Sequence, residues 1–202
     1  FVGVGWYRLD FEAPSFEKGK QATLIFDGAM SHARVYVNGK EAGYWPYGYN
    51  SFHLDVTPYL KAGEVNELAV RLENENESSR WYPGAGLYRN VHLVVTEDAY
   101  VPTWGTHVTT PVVKDKFAKV HIETKWNMPK GKKITDYTIA TEILNPEGKK
   151  VNADTRPGDE LDEVLFVQDF VVRNPALWSV EYPHLYTAVS KIYEGDRLVD
   201  EY

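Results

Sequence analysis

The stretch Ala33-Arg34-Val35-Tyr36-Val37-Asn38-Gly39-Lys40 decides the fold class. Ala33, Val35 and Val37 alternate with Arg34, Tyr36 and Asn38, so each set falls on its own face of an extended chain. Asn38-Gly39 then supplies two residues that tolerate positive φ, as a type I′ hairpin turn requires. The same period of two recurs on either side. Ala22, Leu24 and Phe26 precede it; Phe52, Leu54 and Val56, then Leu68, Val70 and Leu72, then Val91, Leu93 and Val95 follow. Asp55-Val56-Thr57-Pro58 reads as a strand entering one short helical turn, with Thr57 as N-cap and Pro58 at the first helical position.

The second half continues in the same way. Val120, Ile122 and Thr124 alternate with His121, Glu123 and Lys125. Tyr137, Ile139, Thr141 and Ile143 form another set, closed by Asn145-Pro146-Glu147-Gly148. A third run covers Leu165 to Val172, and the runs Tyr186 to Tyr193 and Leu198 to Tyr202 flank a hairpin loop at Glu194-Gly195-Asp196. No stretch holds a helical period over three turns. The chain is therefore all-β, and its 202 residues suffice for two sandwich-sized cores. The expected boundary is Glu97–Val101, where one strand ends before a new run begins at Trp104.

With 43% apolar and 25% charged residues the composition excludes disorder, collagen and coiled coil. The formal charge is −7 and no basic run offers a phosphate footprint, which argues against nucleic acid. No window approaches the length of uncharged apolar sequence that a membrane span needs. The absence of Cys removes disulfides, thiol catalysis and Cys-based zinc sites without fixing the compartment. Phe1 opens directly on a strand pattern, with neither an initiator Met nor a signal peptide. This is the expectation for a piece of something longer.

Chemistry is sparse. The histidines His32, His53, His92, His107, His121 and His184 are scattered without a helical metal-binding spacing. There is no nucleophile elbow or P-loop, and no carboxylate pair stands out among 29 acids. The sequence thus predicts no catalytic residue, no metal and no cofactor. One segment differs, running from Glu73-Asn74-Glu75-Asn76-Glu77-Ser78-Ser79-Arg80 through Trp81-Tyr82-Pro83-Gly84-Ala85-Gly86 to Leu87-Tyr88-Arg89. It reads either as a solvated connection with aromatic anchors or as a sugar-contacting loop. In the second reading Glu77 and Arg80 bond vicinal hydroxyls while Trp81 and Tyr82 stack on a pyranose face. Asn76-Glu77-Ser78 also matches the glycosylation acceptor pattern, a weak signal at three residues.

An ordered series of motifs carries a resemblance. Gly5-Trp6-Tyr7-Arg8 is followed by Val35-Tyr36-Val37-Asn38-Gly39-Lys40, Gly48-Tyr49 with Phe52, Asp55-Val56-Thr57, Asn66-Glu67-Leu68-Ala69-Val70, and Arg80 to Val91. Residues 1–98 resemble the amino-terminal sugar-binding domain of glycoside hydrolase family 2. Residues 99–202 resemble its immunoglobulin-like domain, through Asn174-Pro175-Ala176-Leu177-Trp178-Ser179 and Pro183-His184-Leu185-Tyr186. The resemblance implies a jelly-roll, galactose-binding-like sandwich lacking its first strands, then an immunoglobulin-like sandwich lacking its last. It is closest to β-galactosidases of bacterial polysaccharide degraders, with β-glucuronidase and β-mannosidase as alternative parents. It implies a terminal β-D-galactoside as the carbohydrate partner, a periplasmic or secreted setting, and two catalytic glutamates on a (β/α)₈ barrel that would follow in the same chain. The fragment alone is then expected to be inactive.

Some family members place an Asp of the loop at the active site, sometimes beside sodium. Alignment on Gly86 and Arg89 puts Arg80 near that position and Glu77 three residues before it. This departure implies no metal and names Arg80 and Glu77, with Trp81 and Tyr82, as the pocket-lining residues. Arg89 is expected to be structural and paired with a carboxylate. Two rivals lie outside the enzyme class: a free-standing carbohydrate-binding module and an immunoglobulin-like surface or spacer protein.

Overall fold

In a computed structural model, which describes residues 2–17, 19–82, 84–162 and 164–202, the chain divides into two compact units, Phe1–Thr96 and Glu97–Tyr202. The loop motif's Pro83 and the opening Phe1 lie outside the described residues.

The first unit contains β1 (Gly3–Glu12), β2 (Gln21–Phe26), β3 (Ala29–Met30), β4 (Ala33–Val37), β5 (Lys40–Trp45), β6 (Phe52–Asp55), β7 (Val65–Asn74), β8 (Gly86–Leu87) and β9 (Val91–Thr96). One antiparallel sheet has the order β1-β7-β4-β5 and another the order β6-β2-β9; β3 and β8 form a short pair beside them. The alternation dictates this arrangement. Ala22, Leu24 and Phe26 from one sheet meet Ala33, Val35, Val37, Leu68, Val70 and Leu72 from the other in a single buried core. Intervening side chains such as Arg34 face out. At the predicted hairpin, Asn38 has φ 52° and Gly39 φ 77°, and Val37 pairs with Lys40 across the two-residue turn. Asn38 also does more than turn the chain. Its amide donates to Tyr59 O at 2.9 Å and to Asn66 Oδ1 at 2.8 Å, and its Oδ1 accepts from the Glu67 N–H at 3.1 Å. Asn66 is buried, and its amide completes the network through the backbone of Lys61 and Glu64. A buried amide is stable only with such satisfaction.

The turn after β6 differs from expectation. The N–H groups of Tyr59 and Leu60 both reach back to Val56 O, so one helical turn forms. Thr57 does not cap it. Its hydroxyl accepts from the Ala22 N–H at 2.9 Å, and its own N–H donates to Asp55 Oδ1 at 2.9 Å. The strand edge of β2 competes for the hydroxyl, and Asp55 closes the turn instead.

The second unit contains β10 (Thr106–Lys114), β11 (Phe117–Lys125), β12 (Tyr137–Leu144), β13 (Lys150–Pro157), β14 (Leu165–Arg173), β15 (Thr187–Glu194) and β16 (Arg197–Glu201). Sheets of order β10-β11-β14 and β13-β12-β15-β16 face each other, as in an immunoglobulin-like sandwich. Along β12 the burial alternates residue by residue, with Tyr137, Ile139 and Ile143 inside. Ile122, Phe166, Phe170, Val172 and Ile192 complete the two buried clusters. Gly195, at φ 58°, opens the two-residue turn closed by Glu194 and Arg197.

Candidate functional site

The polar segment leaves the first unit at the end of β7. Its base is tied down: the Glu73 N–H donates to Ser31 O at 2.9 Å and Ser31 Oγ donates to Glu73 O at 2.8 Å. Arg71 pairs with the Glu73 carboxylate at 2.9 Å, and His32 lies 3.6 Å from Glu75. Beyond Glu75 the chain turns sharply, with Glu77 at φ 55°. Ser79 Oγ then donates to Trp81 O at 2.6 Å. Glu77, Arg80, Trp81 and Tyr82 are all exposed. Among the described residues neither Glu77 nor Arg80 joins an ion pair.

The structure brings the two predicted aromatics to different places. Tyr82 lines a cavity of about 340 Å³ with Gly3, Gly5, Tyr7, Asn74 and Gly86. Gly86 is required there, because it holds φ 96° and a Cβ would run into the Tyr7 hydroxyl. Trp81 instead joins a second loop, residues 46–51. Its indole Nε1–H donates to the Tyr49 hydroxyl at 2.9 Å, with ring centroids 6.5 Å apart, and Tyr47 lies 5.6 Å beyond Tyr49. Sequence reasoning did not assign Tyr47 or Tyr49 a binding role. The available signal was the aromatic density of Trp45-Pro46-Tyr47-Gly48-Tyr49 around a turn.

That second loop is firmly anchored. Phe26, Phe52 and Trp45 stack in sequence, with centroids 4.7 Å and 5.6 Å apart, carrying the core out to the base of the loop. Trp45 Nε1 donates to Asn50 Oδ1 at 3.0 Å, Ser51 Oγ donates to Asp27 O at 3.2 Å, and the Tyr88 hydroxyl donates to Gly48 O at 2.7 Å. Gly48 is buried, and a Cβ on it would strike the Met30 sulfur. The two neighbouring tyrosines are left facing solvent.

Arg89 departs from the expected carboxylate pairing. Its guanidinium lies 5.6 Å from the ring centroid of Tyr88, whose hydroxyl is fixed on Gly48 O. The exposed link between β8 and β9 offers it a ring face, and a cation–π contact results.

Elsewhere, the second unit has an apolar concavity of about 570 Å³ lined by Val113, Ala118, Val120, Leu177, Trp178 and Tyr186, with no carboxylate in its wall. Among the described residues no group of three or more His, Asp or Glu is placed to hold a metal ion. Among the described residues no helix is long and apolar enough to cross a membrane.

Two family models match the chain. The model for the sugar binding domain of glycosyl hydrolases family 2 covers residues 1–97, and the model for glycosyl hydrolases family 2 covers residues 99–202. A β-galactosidase of Bacteroides ovatus is 41% identical over 204 residues, a match that takes 99% of this chain and 24% of the relative. A putative β-glucuronidase of Formosa agariphila is 33% identical over 206 residues, covering 98% of this chain and 19% of the relative. Among solved structures, a glycosyl hydrolase family 2 member from Bacteroides cellulosilyticus has a TM-score of 0.89 at 35% identity, over 100% of this chain and 26% of that one. The chain therefore spans about a quarter of the length of these relatives.

Proposed function

Because the chain belongs to glycosyl hydrolases family 2, we propose that its two sandwiches are the non-catalytic accessory part of a longer retaining glycosidase that hydrolyses terminal β-D-galactosides. The observation that carries the substrate is the 41% identity to a β-galactosidase, against 33% to a putative β-glucuronidase. Residues 1–98 are read as the sugar-binding jelly roll and 99–202 as the immunoglobulin-like domain, with strands and the catalytic barrel supplied by the rest of the enzyme. In this reading the barrel carries the nucleophile and acid/base glutamates. Glu77, Arg80, Trp81 and Tyr82 form one wall of its pocket. Their exposure on a loop with a tied base supports the role: the side chains are held outward and are available to a neighbour. A single wall supplies few of the buried contacts that a small ligand needs, so the fragment alone should hold a monosaccharide only weakly.

The test is hydrolysis of nitrophenyl β-galactoside, β-glucuronide and β-mannoside by the full-length protein and by the 202-residue chain. The full protein should prefer the galactoside and the chain alone should turn over none. A preference for the glucuronide would move the assignment to the second reading, which the 33% relative favours. Turnover by the purified chain would overturn the non-catalytic role.

A further inference from the structure

Three aromatic side chains from two separate loops lie next to one another on the first unit, Tyr47 beside Tyr49 and Tyr49 beside Trp81. Tyr47, Tyr49 and Trp81 are 56%, 46% and 63% exposed, although large rings gain from burial. The loop that carries the two tyrosines is anchored. The indole N–H holds Tyr49, the stack of Trp45 on Phe52 and Phe26 fixes the loop base, and the buried Gly48 pins the residue between the two tyrosines. Large rings held in water on an anchored loop indicate a surface made for a ligand.

We propose that Tyr47, Tyr49 and Trp81 form a stacking platform for a neutral oligosaccharide, so that the chain holds sugar units beyond the terminal one. The inference rests on the reading of this chain as the sugar-contacting part of a glycosidase, and it names the substrate as an extended glycan. The steps between ring centroids, 5.6 Å and 6.5 Å, are each about the length of one sugar residue in a chain. Successive rings are inclined to each other by 58° and 57°. The axial C–H groups of a pyranose carry partial positive charge and meet the negative face of each ring. The Tyr hydroxyls and the neighbouring Glu77 and Arg80 supply a polar rim for sugar hydroxyls. Charge favours a neutral chain: the adjoining turn carries Glu75 and Glu77 and a single Arg80, so a uronate polymer would bring its carboxylates to a turn with more acids than bases.

The experiment titrates the 202-residue chain with galactose, a β-linked galactotetraose and a glucuronate-containing tetrasaccharide, following Trp fluorescence and calorimetric heat. Galactotetraose should bind at least about tenfold more tightly than galactose, and the acidic tetrasaccharide should bind no better than galactose. Tyr47→Ala and Trp81→Ala should each weaken tetraose binding about five- to tenfold, while Trp178→Ala in the second unit leaves it unchanged. Melting curves confirm that each variant is folded. Trp81→Phe retains a ring without the indole N–H and should fall between wild type and Trp81→Ala. Equal affinity for galactose and the tetraose would overturn the proposal, as would wild-type binding by both alanine variants. Self-association of the chain that disappears in Trp81→Ala would assign the rings to a second copy of the chain and also overturn it. The readout is binding by the chain itself, so a failure here leaves the hydrolytic assignment of the full protein standing, and the reverse also holds.

Discussion

Arg80 and Arg89 share a loop region but not an environment. Arg80 makes no ion pair among the described residues, while Arg89 rests over the Tyr88 ring. Loss of Arg80 should therefore be felt by substrate rather than by the fold. If it donates to a sugar hydroxyl in the full-length enzyme, Arg80→Ala removes a charge-assisted bond contributing about 1.5–3 kcal/mol. The value of kcat/KM should then fall roughly ten- to a hundredfold, with an unchanged melting temperature. A kinetically silent Arg80→Ala beside an impaired Glu77→Ala would transfer the contact to the acid. In the second unit, His121 on β11 shows what a paired group does. Nδ1 lies 2.8 Å from Asp169 and Nε2 lies 3.4 Å from Glu123, and the hydrogen bond to Asp169, then that to Glu123, raises its pKa above the ordinary 6.5. The proton is bound more tightly in the folded state, so the stabilisation is fully present below the unfolded value and is lost as pH rises through the folded one. An NMR titration should place His121 above 6.5 and show Asp169→Asn bringing it back toward that value.

At the scale of elements, the strands that could be read were those with one face against a core. β2 and β12 alternate buried with half-buried residues and β14 alternates buried with mostly exposed ones, and each was visible from apolar periodicity. β13, Lys-Val-Asn-Ala-Asp-Thr-Arg-Pro, was not. It is an edge strand with no fully buried residue, so nothing forced apolar side chains onto it. β10 is also an edge, with a register shift between Thr109 and Val112 that interrupts any period. The loop Glu73–Tyr82 stood out for its composition, but its partner loop did not. The Trp81–Tyr49 bond joins residues 32 apart, and no local pattern encodes such a distant pairing. The loop at Gly48 offers a direct check on the anchoring described above. A Cβ there would meet the Met30 sulfur and come within 3.2 Å of the Met30 Cα, so side-chain motion alone gives incomplete relief. Gly48→Ala should cost about 1–3 kcal/mol of stability and weaken oligosaccharide binding at the same time. Denaturant unfolding and tetraose titration of the one variant measure both. A destabilised variant that binds normally would separate the loop anchor from the platform.

The whole molecule carries separate hydrophobic cores. Leu24, Phe26, Val35 and Val70 belong to the core of the first unit, whereas Tyr137, Ile139, Phe166 and Ile192 belong to the second. No residue is shared, and a sandwich with its own core has the minimum needed to fold as its own cooperative body. Catalysis was not legible at this scale, because no carboxylate pair in the sequence has a spacing that singles it out. The independence of the two sandwiches is open to calorimetry on the chain. Leu24 and Ile192 are almost wholly buried, one in each core. Truncation to Ala at such a site costs about 2–5 kcal/mol, and in a unit of this size each kcal/mol shifts the melting temperature by roughly 4–8 °C. Leu24→Ala should therefore lower one transition by roughly 8–40 °C on this scale and leave the other in place, and Ile192→Ala should do the opposite. If a single transition moves under both substitutions, the two sandwiches unfold as one cooperative body and the independence argued from their separate cores fails.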